Sequence, residues 1–177
     1  MPRCRTCKDK FEARYFNQKF CMDKDECIKA FAQYAGGIQR KIVARERIEK
    51  KKSLLTHSDW LNILQKVFNT FIRIRDKDKP CISSGKPLKG KFDAGHFYSV
   101  GGNPSLRFNE FNVHGQSVHD NRDKHGNLLE YAERLPERIG IENFNALKAD
   151  RHKTLKLSIP EIQEKIKEYK NKIRLLK

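Results

Sequence analysis

Four of the six histidines fall within thirty residues: His96, His114, His119 and His125. Asp93, Asn112, Asp120, Asn121 and Asp123 are interleaved with them. The string runs Asp93-Ala-Gly-His96, fifteen residues, Asn112-Val-His114, then Ser117-Val-His119-Asp120-Asn121-Arg122-Asp123-Lys124-His125. A neutral imidazole can take a proton from water. Oxygen-bearing side chains can hold a hard divalent cation on a phosphate, where it neutralises charge and stabilises the leaving oxygen. A further residue must orient the ring. Together these are the requirements of metal-assisted phosphodiester hydrolysis. Two of the rings have plain structural readings as well: His114 as a hydrogen-bonded hairpin residue, His119 as a solvated helix residue.

A second constellation lies at the start. Of the five cysteines, Cys4 and Cys7 are two residues apart, Cys21 follows after thirteen residues and Cys27 after five more; Cys81 stands alone. A Cys-x-x-Cys pair can fill two corners of a tetrahedron around Zn²⁺, and a pair returned by a short hairpin fills the others. The five-residue gap in the second pair is longer than the common two to four. Phe11, Tyr15, Phe16 and Phe20 are expected to pad this knuckle. Met1-Pro-Arg-Cys-Arg5 has no apolar signal core, so a reducing cytoplasm and one structural zinc are expected rather than disulfides.

Charge narrows the partners. Lys and Arg outnumber Asp and Glu by 38 to 22, giving a formal +16 over 177 residues. Such an excess steers toward polyanions, nucleic acid first, although it also serves general solubility. No apolar run is long enough to span a membrane. The apolar share of 37% supports one modest core.

The elements that must position these groups read as an α+β chain, mainly helical. Residues 1–37 form the knuckle, closing into a short helix near Glu26–Tyr34 that Gly36-Gly37 is expected to break. Residues 38–56 form a basic helical arm. Its Arg40, Lys41, Arg45, Arg47, Lys50, Lys51 and Lys52 suit phosphate contact as well as they suit a solvated spacer. Residues 57–150 form the core. There Trp60, Leu61, Leu64, Val67, Phe68, Phe71 and Ile72 recur at helical steps over 57–75, opened by Thr56 or Ser58 and stopped by Pro80. Cys81–Ser83, Lys91–Ala94 and Leu106–Phe108 are short strand candidates. A helix over Leu128–Leu135 ends at Gly140, and a weaker one covers Glu142–Ala149. Residues 151–177 form a basic amphipathic helix, begun by the capping box Ser158-Ile-Pro-Glu161.

Asp93-Ala-Gly-His96, Asn112 and Asn121 together resemble the HNH, or His-Me finger, nuclease motif, a ββα hairpin and helix around one divalent metal. Arg75-Asp-Lys-Asp-Lys-Pro-Cys-Ile-Ser, Leu106-Arg-Phe-Asn109-Glu110, Asn112-Val-His114 and Gly126-Asn127 extend the resemblance to the phage NinG (Rap) recombination endonucleases. The opening Cys-x-x-Cys with Asn17-Gln18 before Cys21 is similar too. The likeness covers most of residues 1–140. It implies His96 as the general base and Asn112 as the residue fixing the hairpin loop and helping to orient His96. It implies Asn121 as a metal ligand and Asp93 as its partner or as a support for His96, with His125 or Asp123 completing the site. The ion would be Mg²⁺ or Mn²⁺, and Arg122 and Lys124 would meet DNA.

Relatives often carry a second zinc site under the hairpin, with two Cys-x-x-Cys pairs. Here the matching positions are Cys81 and Ser84, then Ser117 and Asp120. No zinc is expected there, and hydrogen bonds from Ser84, Ser117 and Asp120 must hold the hairpin. The resemblance implies a structure-selective endonuclease cutting branched recombination DNA, such as Holliday junctions and displaced strands, inside a phage-infected bacterium. The two-fold character of a junction suits a homodimer. The alternative is a non-catalytic zinc-knuckle DNA- or RNA-binding protein.

Overall fold

Thr56 and Asp59 open a helix reciprocally. The Thr56 hydroxyl accepts from the Asp59 N–H at 3.2 Å, and the Asp59 carboxylate accepts from the Thr56 N–H at 2.9 Å, which satisfies two otherwise orphaned donors. This cap marks a division. The computed structural model describes residues 1–177 and separates into Met1–Leu55 and Thr56–Lys177.

In the first unit Cys4, Phe11, Phe20, Cys21 and Cys27 form a small buried cluster. Ala30, Phe31 and Tyr34 of α1 (Asp25–Ser53) pack against it. Only two of the four expected padding residues are inside: Phe11 and Phe20 are buried, whereas Tyr15 and Phe16 are exposed. The expected break at Gly36-Gly37 is also absent, because α1 runs unbroken for 29 residues. Two glycines cost a helix roughly 1 kcal/mol each. The Gln, Arg, Lys, Ala and Glu residues that follow are strong formers, with no proline to stop them. Asp25 and Glu26 in the first turn and Lys50, Lys51 and Lys52 in the last complement the helix dipole. The knuckle and the basic arm therefore share one helix.

In the second unit α2 (His57–Arg75) keeps the expected bounds. Its Leu64, Phe68 and Ile72 pack against Ile162, Ile166 and Tyr169 of α5 (Ile159–Leu175). The Phe68 and Tyr169 rings meet edge-on at 5.0 Å. Strands β1 (Phe92–His96) and β2 (Val113–Ser117) pair antiparallel, with Asp93 opposite Gln116 and His96 opposite Val113. Ala94 and Val113 join the α2–α5 core. A second core gathers Ile82, Leu106, Tyr131 and Leu135 of α3 (Leu128–Ile139), and Phe144 and Leu147 of α4 (Ile141–Asp150).

Of the strand candidates, only Lys91–Ala94 coincides with a strand. Cys81–Ser83 lies in a turn closed by a Pro80–Pro87 bridge. Pro104–Leu106 makes a single helical turn, because Pro104 fixes φ where a helix begins. The architecture is thus a mixture of helices with one small two-stranded sheet. No helix is long and apolar enough to cross a membrane.

A methyl group at Gly36 would meet only Arg40 Nη1, at 3.9 Å, and at Gly37 nothing within 4 Å. Gly36→Ala and Gly37→Ala are therefore expected to stabilise the middle of α1 by about 1 kcal/mol each. Amide hydrogen exchange around these positions should slow about fivefold per substitution. Faster exchange would contradict a continuous helix.

Candidate functional site

His96 ends β1, and its ring is fixed from the loop that joins the strands. Its Nε2 lies 3.1 Å from the Arg107 carbonyl oxygen. That carbonyl can only accept, so Nε2 carries the proton and Nδ1 is left with a lone pair. Burial pushes the His96 pKa down; the Arg107 carbonyl opposes this and the Arg107 charge adds to it, for a net lowering that favours the neutral ring. Arg107 is itself held by Gln65 of α2, at 2.8 Å. Asn112 is fully buried. Its side-chain oxygen accepts from Tyr98 N–H at 2.8 Å, and its amide donates to the carbonyls of Tyr98 at 3.0 Å and Leu106 at 3.1 Å. Its own carbonyl accepts from Phe97 N–H at 2.9 Å, immediately after His96. Asn112 thus ties both ends of the loop together.

Asp93 lies three residues back, on the opposite face of β1 by strand alternation. Its carboxylate accepts from Asn121 Nδ2 at 3.1 Å and from Arg122 at 2.8 and 3.2 Å. Asn121 and Arg122 stand on the helical turn His119–Asp123. Burial raises the Asp93 pKa, but Arg122 and Asn121 outweigh it and hold the carboxyl below its usual value. The structure thus brings Asp93 and Asn121 together, with the Asn121 amide nitrogen turned to the carboxylate. His125 is exposed, with φ of +49°, and shares no hydrogen bond with either. Asp123 instead pairs with His119 Nδ1 at 2.9 Å.

The residue directly before His96 is glycine for a packing reason. A Cβ on Gly95 would lie 2.0 Å from Gln116 Oε1. Gln116 is buried, and its amide donates to Ser83 Oγ at 2.5 Å and to the Gly126 carbonyl at 2.6 Å. On the same face the Tyr131 hydroxyl donates to the Gly95 carbonyl at 3.1 Å and lies 3.0 Å from His114 Nδ1. His114 is therefore a buried, hydrogen-bonded hairpin residue. Burial, aided by the Arg75 charge, pushes its pKa down to about 3. Local sequence pattern did not reveal Arg107, Gln116 or Tyr131. The only available signal was the resemblance itself, which spans Leu106–Phe108.

Cys81, Ser117 and Asp120 meet beneath the hairpin. Asp120 is 3% exposed and accepts from Ser117 Oγ at 2.7 Å, Cys81 Sγ at 3.3 Å and Asn127 Nδ2 at 3.0 Å. Burial raises its pKa, yet Ser117, Ser84, Cys81 and Asn127 together hold it low. The expected hydrogen bonding by Ser117 and Asp120 is present.

In the first unit the sulfurs of Cys4, Cys7, Cys21 and Cys27 all lie within 4.8 Å of one another. Cys4 and Cys27 are 3.7 Å apart, and Cys7 and Cys21 3.6 Å. All four are free thiols. Tetrahedral zinc with Zn–S near 2.3 Å sets its sulfurs about 3.8 Å apart, so the cluster could bind a metal such as zinc. Burial raises the Cys4 pKa, but N–H groups around it prevail and bring it to about 6. Burial and the crowding of the other three thiols push Cys27 well up. The basic arm residues Arg40 to Lys52 are exposed along α1. Arg122 is committed to Asp93, and Lys124 approaches Asp120 at 3.8 Å.

The family model described as Bacteriophage Lambda NinG protein matches residues 1–177. The chain is 33% identical to "Protein ninG" of Salmonella phage P22 over 197 aligned positions, covering 99% of this chain and 93% of the relative. It is 32% identical to "Protein ninG" of Escherichia phage lambda with the same coverage. No solved structure matches.

Two outcomes are expected. The full chain purified without chelator should hold about one zinc ion by elemental analysis, and exchanging Cys4 and Cys7 together for serine should abolish it. A metal-free wild type would refute the cluster. Second, the unfolded chain, with His114 near 6.5, binds one more proton than the native chain between about pH 3 and 6.5. The stability of the neutral ring is present above that window and lost as pH falls through it, by at most about 1.4 kcal/mol per pH unit. Urea midpoints of His114→Gln at pH 7.5 and 5.0 should show a flatter acid dependence than wild type. An unchanged slope would count against the assignment.

Proposed function

The chain belongs to the NinG family of phage proteins, and on that premise we propose that it is a divalent-metal-dependent endonuclease of the HNH, or His-Me finger, kind. The observation that carries this reading is the His96 ring, anchored through Nε2 on a backbone carbonyl. Nδ1 is left as the proton acceptor, as a general base requires. His96 takes a proton from water while the water oxygen adds to phosphorus and the opposite P–O bond breaks. Asp93 and Asn121 would hold one Mg²⁺ or Mn²⁺, which supplies charge neutralisation at the phosphate and the leaving oxygen. Asn112 acts as a positioning residue through the loop that carries Arg107.

The substrate would be branched recombination DNA in the bacterial cytoplasm, met by two chains where a junction has two-fold symmetry. Lys and Arg along α1 would contact phosphates without reading sequence. The cysteine cluster would hold a structural zinc, since four thiolates leave no position for water.

Two observations favour the second reading, a non-catalytic DNA- or RNA-binding protein with a zinc knuckle: both carboxylate oxygens of Asp93 are occupied by Arg122, and Asp93 lies on the face of β1 opposite His96. Nicking of a labelled four-way junction with Mg²⁺ or Mn²⁺ separates the two. His96→Ala should lower the cleavage rate at least about 10²-fold while junction binding stays within twofold. Equal cleavage by wild type and variant would remove His96 as the base; no cleavage by wild type with either ion would sink the enzyme.

A further inference from the structure

Phe16 is 96% exposed, the highest value of any large apolar side chain here. The turn that carries it is built rather than slack. Arg14 N–H donates to Gln18 Oε1 at 2.8 Å, Gln18 Nε2 donates to the Phe20 carbonyl at 2.8 Å, and Asn17 takes a left-handed φ of +65°. Gln18, itself buried, also lines an open cleft of about 530 Å³ with Arg3, Arg5, Lys8 and Lys19. None of these four cations forms an ion pair with a carboxylate. Arg3 and Lys8 rest on backbone carbonyls, at 3.3 and 2.9 Å. Arg5 and Lys19 lie over the Tyr34 ring at 5.6 and 5.5 Å. Gln18 therefore both braces the turn that carries Phe16 and lines the cationic cleft.

We infer that this face of the cysteine knuckle binds an unpaired segment of DNA, with Phe16 stacked on a base and the cleft following the phosphates. The partner must offer a flat apolar face and a run of negative charge at the spacing of adjacent groups. Single strands offer both, because every base has an exposed π-face. A duplex hides its base faces within the stack, so the Phe16 ring has nothing to add there. The choice of DNA rests on the proposed branched-DNA substrate, whose junctions and displaced strands expose unpaired nucleotides.

The test is fluorescence anisotropy with the full chain and no divalent metal, so that cleavage does not enter. The probes are a twelve-residue oligothymidylate, the matching oligouridylate and a twelve-base-pair DNA duplex. Phe16→Ala should weaken oligothymidylate binding about tenfold, one lost stack, and change duplex binding less than twofold. Phe16→Trp should restore it. Arg5→Ala with Lys19→Ala should weaken both DNA probes and flatten the salt dependence. An unchanged affinity in Phe16→Ala, an equal loss on the duplex, or tighter binding to oligouridylate than to oligothymidylate overturns the inference. Circular dichroism should match wild type, since Phe16 belongs to no packed cluster. Failure of the nuclease reading would appear in the junction-nicking assay and leave these affinities untouched.

Discussion

Asp76 is a carboxylate with no exposed surface, and the second unit is organised around it. A buried charge survives only when paired and fully hydrogen-bonded. Arg75 meets it with two bonds of 2.8 Å, and Gly115 N–H supplies a third of 2.8 Å from the middle of β2. Burial pushes the carboxyl pKa up, but Arg75 and the Gly115 N–H reverse this, so the ionised form persists. Arg75 spends two of its three remaining donors on the carbonyls of Glu110 and Val113, at 2.9 and 2.8 Å. The end of α2 thus grips β2 by its backbone. Such a pair adds little net stability compared with an apolar isostere, but losing one member strands a charge indoors. Its contribution is placement: with β2 fixed, pairing fixes β1, and alternation then sends His96 and Asp93 to opposite faces.

A second buried carboxylate repeats the logic from the other side. Asp120 gathers Cys81, Ser117 and Asn127 at the place where no zinc was expected and hydrogen bonds had to hold the hairpin. Three neutral donors around one negative oxygen pair do by charge-assisted bonding what a cation and four anions would do by coordination. The loop before the hairpin and the turn after it meet at this point, so the position of Asn121 beside Asp93 follows from it.

Periodicity and caps made the helices legible. Thr56, Ser158 and Pro160 marked starts, Gly140 marked a stop, and the apolar steps of α2 gave its length. Strand β2 was not legible, because Val113-His-Gly-Gln-Ser has one strongly apolar residue and buries polar groups instead. Alternation fails as a signal when the inner face is satisfied by hydrogen bonds. Gly36-Gly37 misled for the opposite reason: a local penalty was read without its strong neighbours. At the candidate site His96, Asn112, Asp93 and Asn121 stood out by residue type, and the resemblance alone assigned their roles. The groups that aim them were not, since a backbone carbonyl such as that of Arg107 carries no identity in the sequence.

Cys27 sits in the first turns of α1, so the sulfur cluster and the lysines at 50–52 belong to a single rigid rod. At 1.5 Å per residue its 29 residues span about 43 Å, longer than the roughly 34 Å of one B-DNA turn. Whatever grips the sulfur end therefore fixes the direction in which the distant positive tip points, much as a pivot sets the sweep of a lever. A polyanion touching both ends has to extend along that shaft; a compact one can reach only one end at a time.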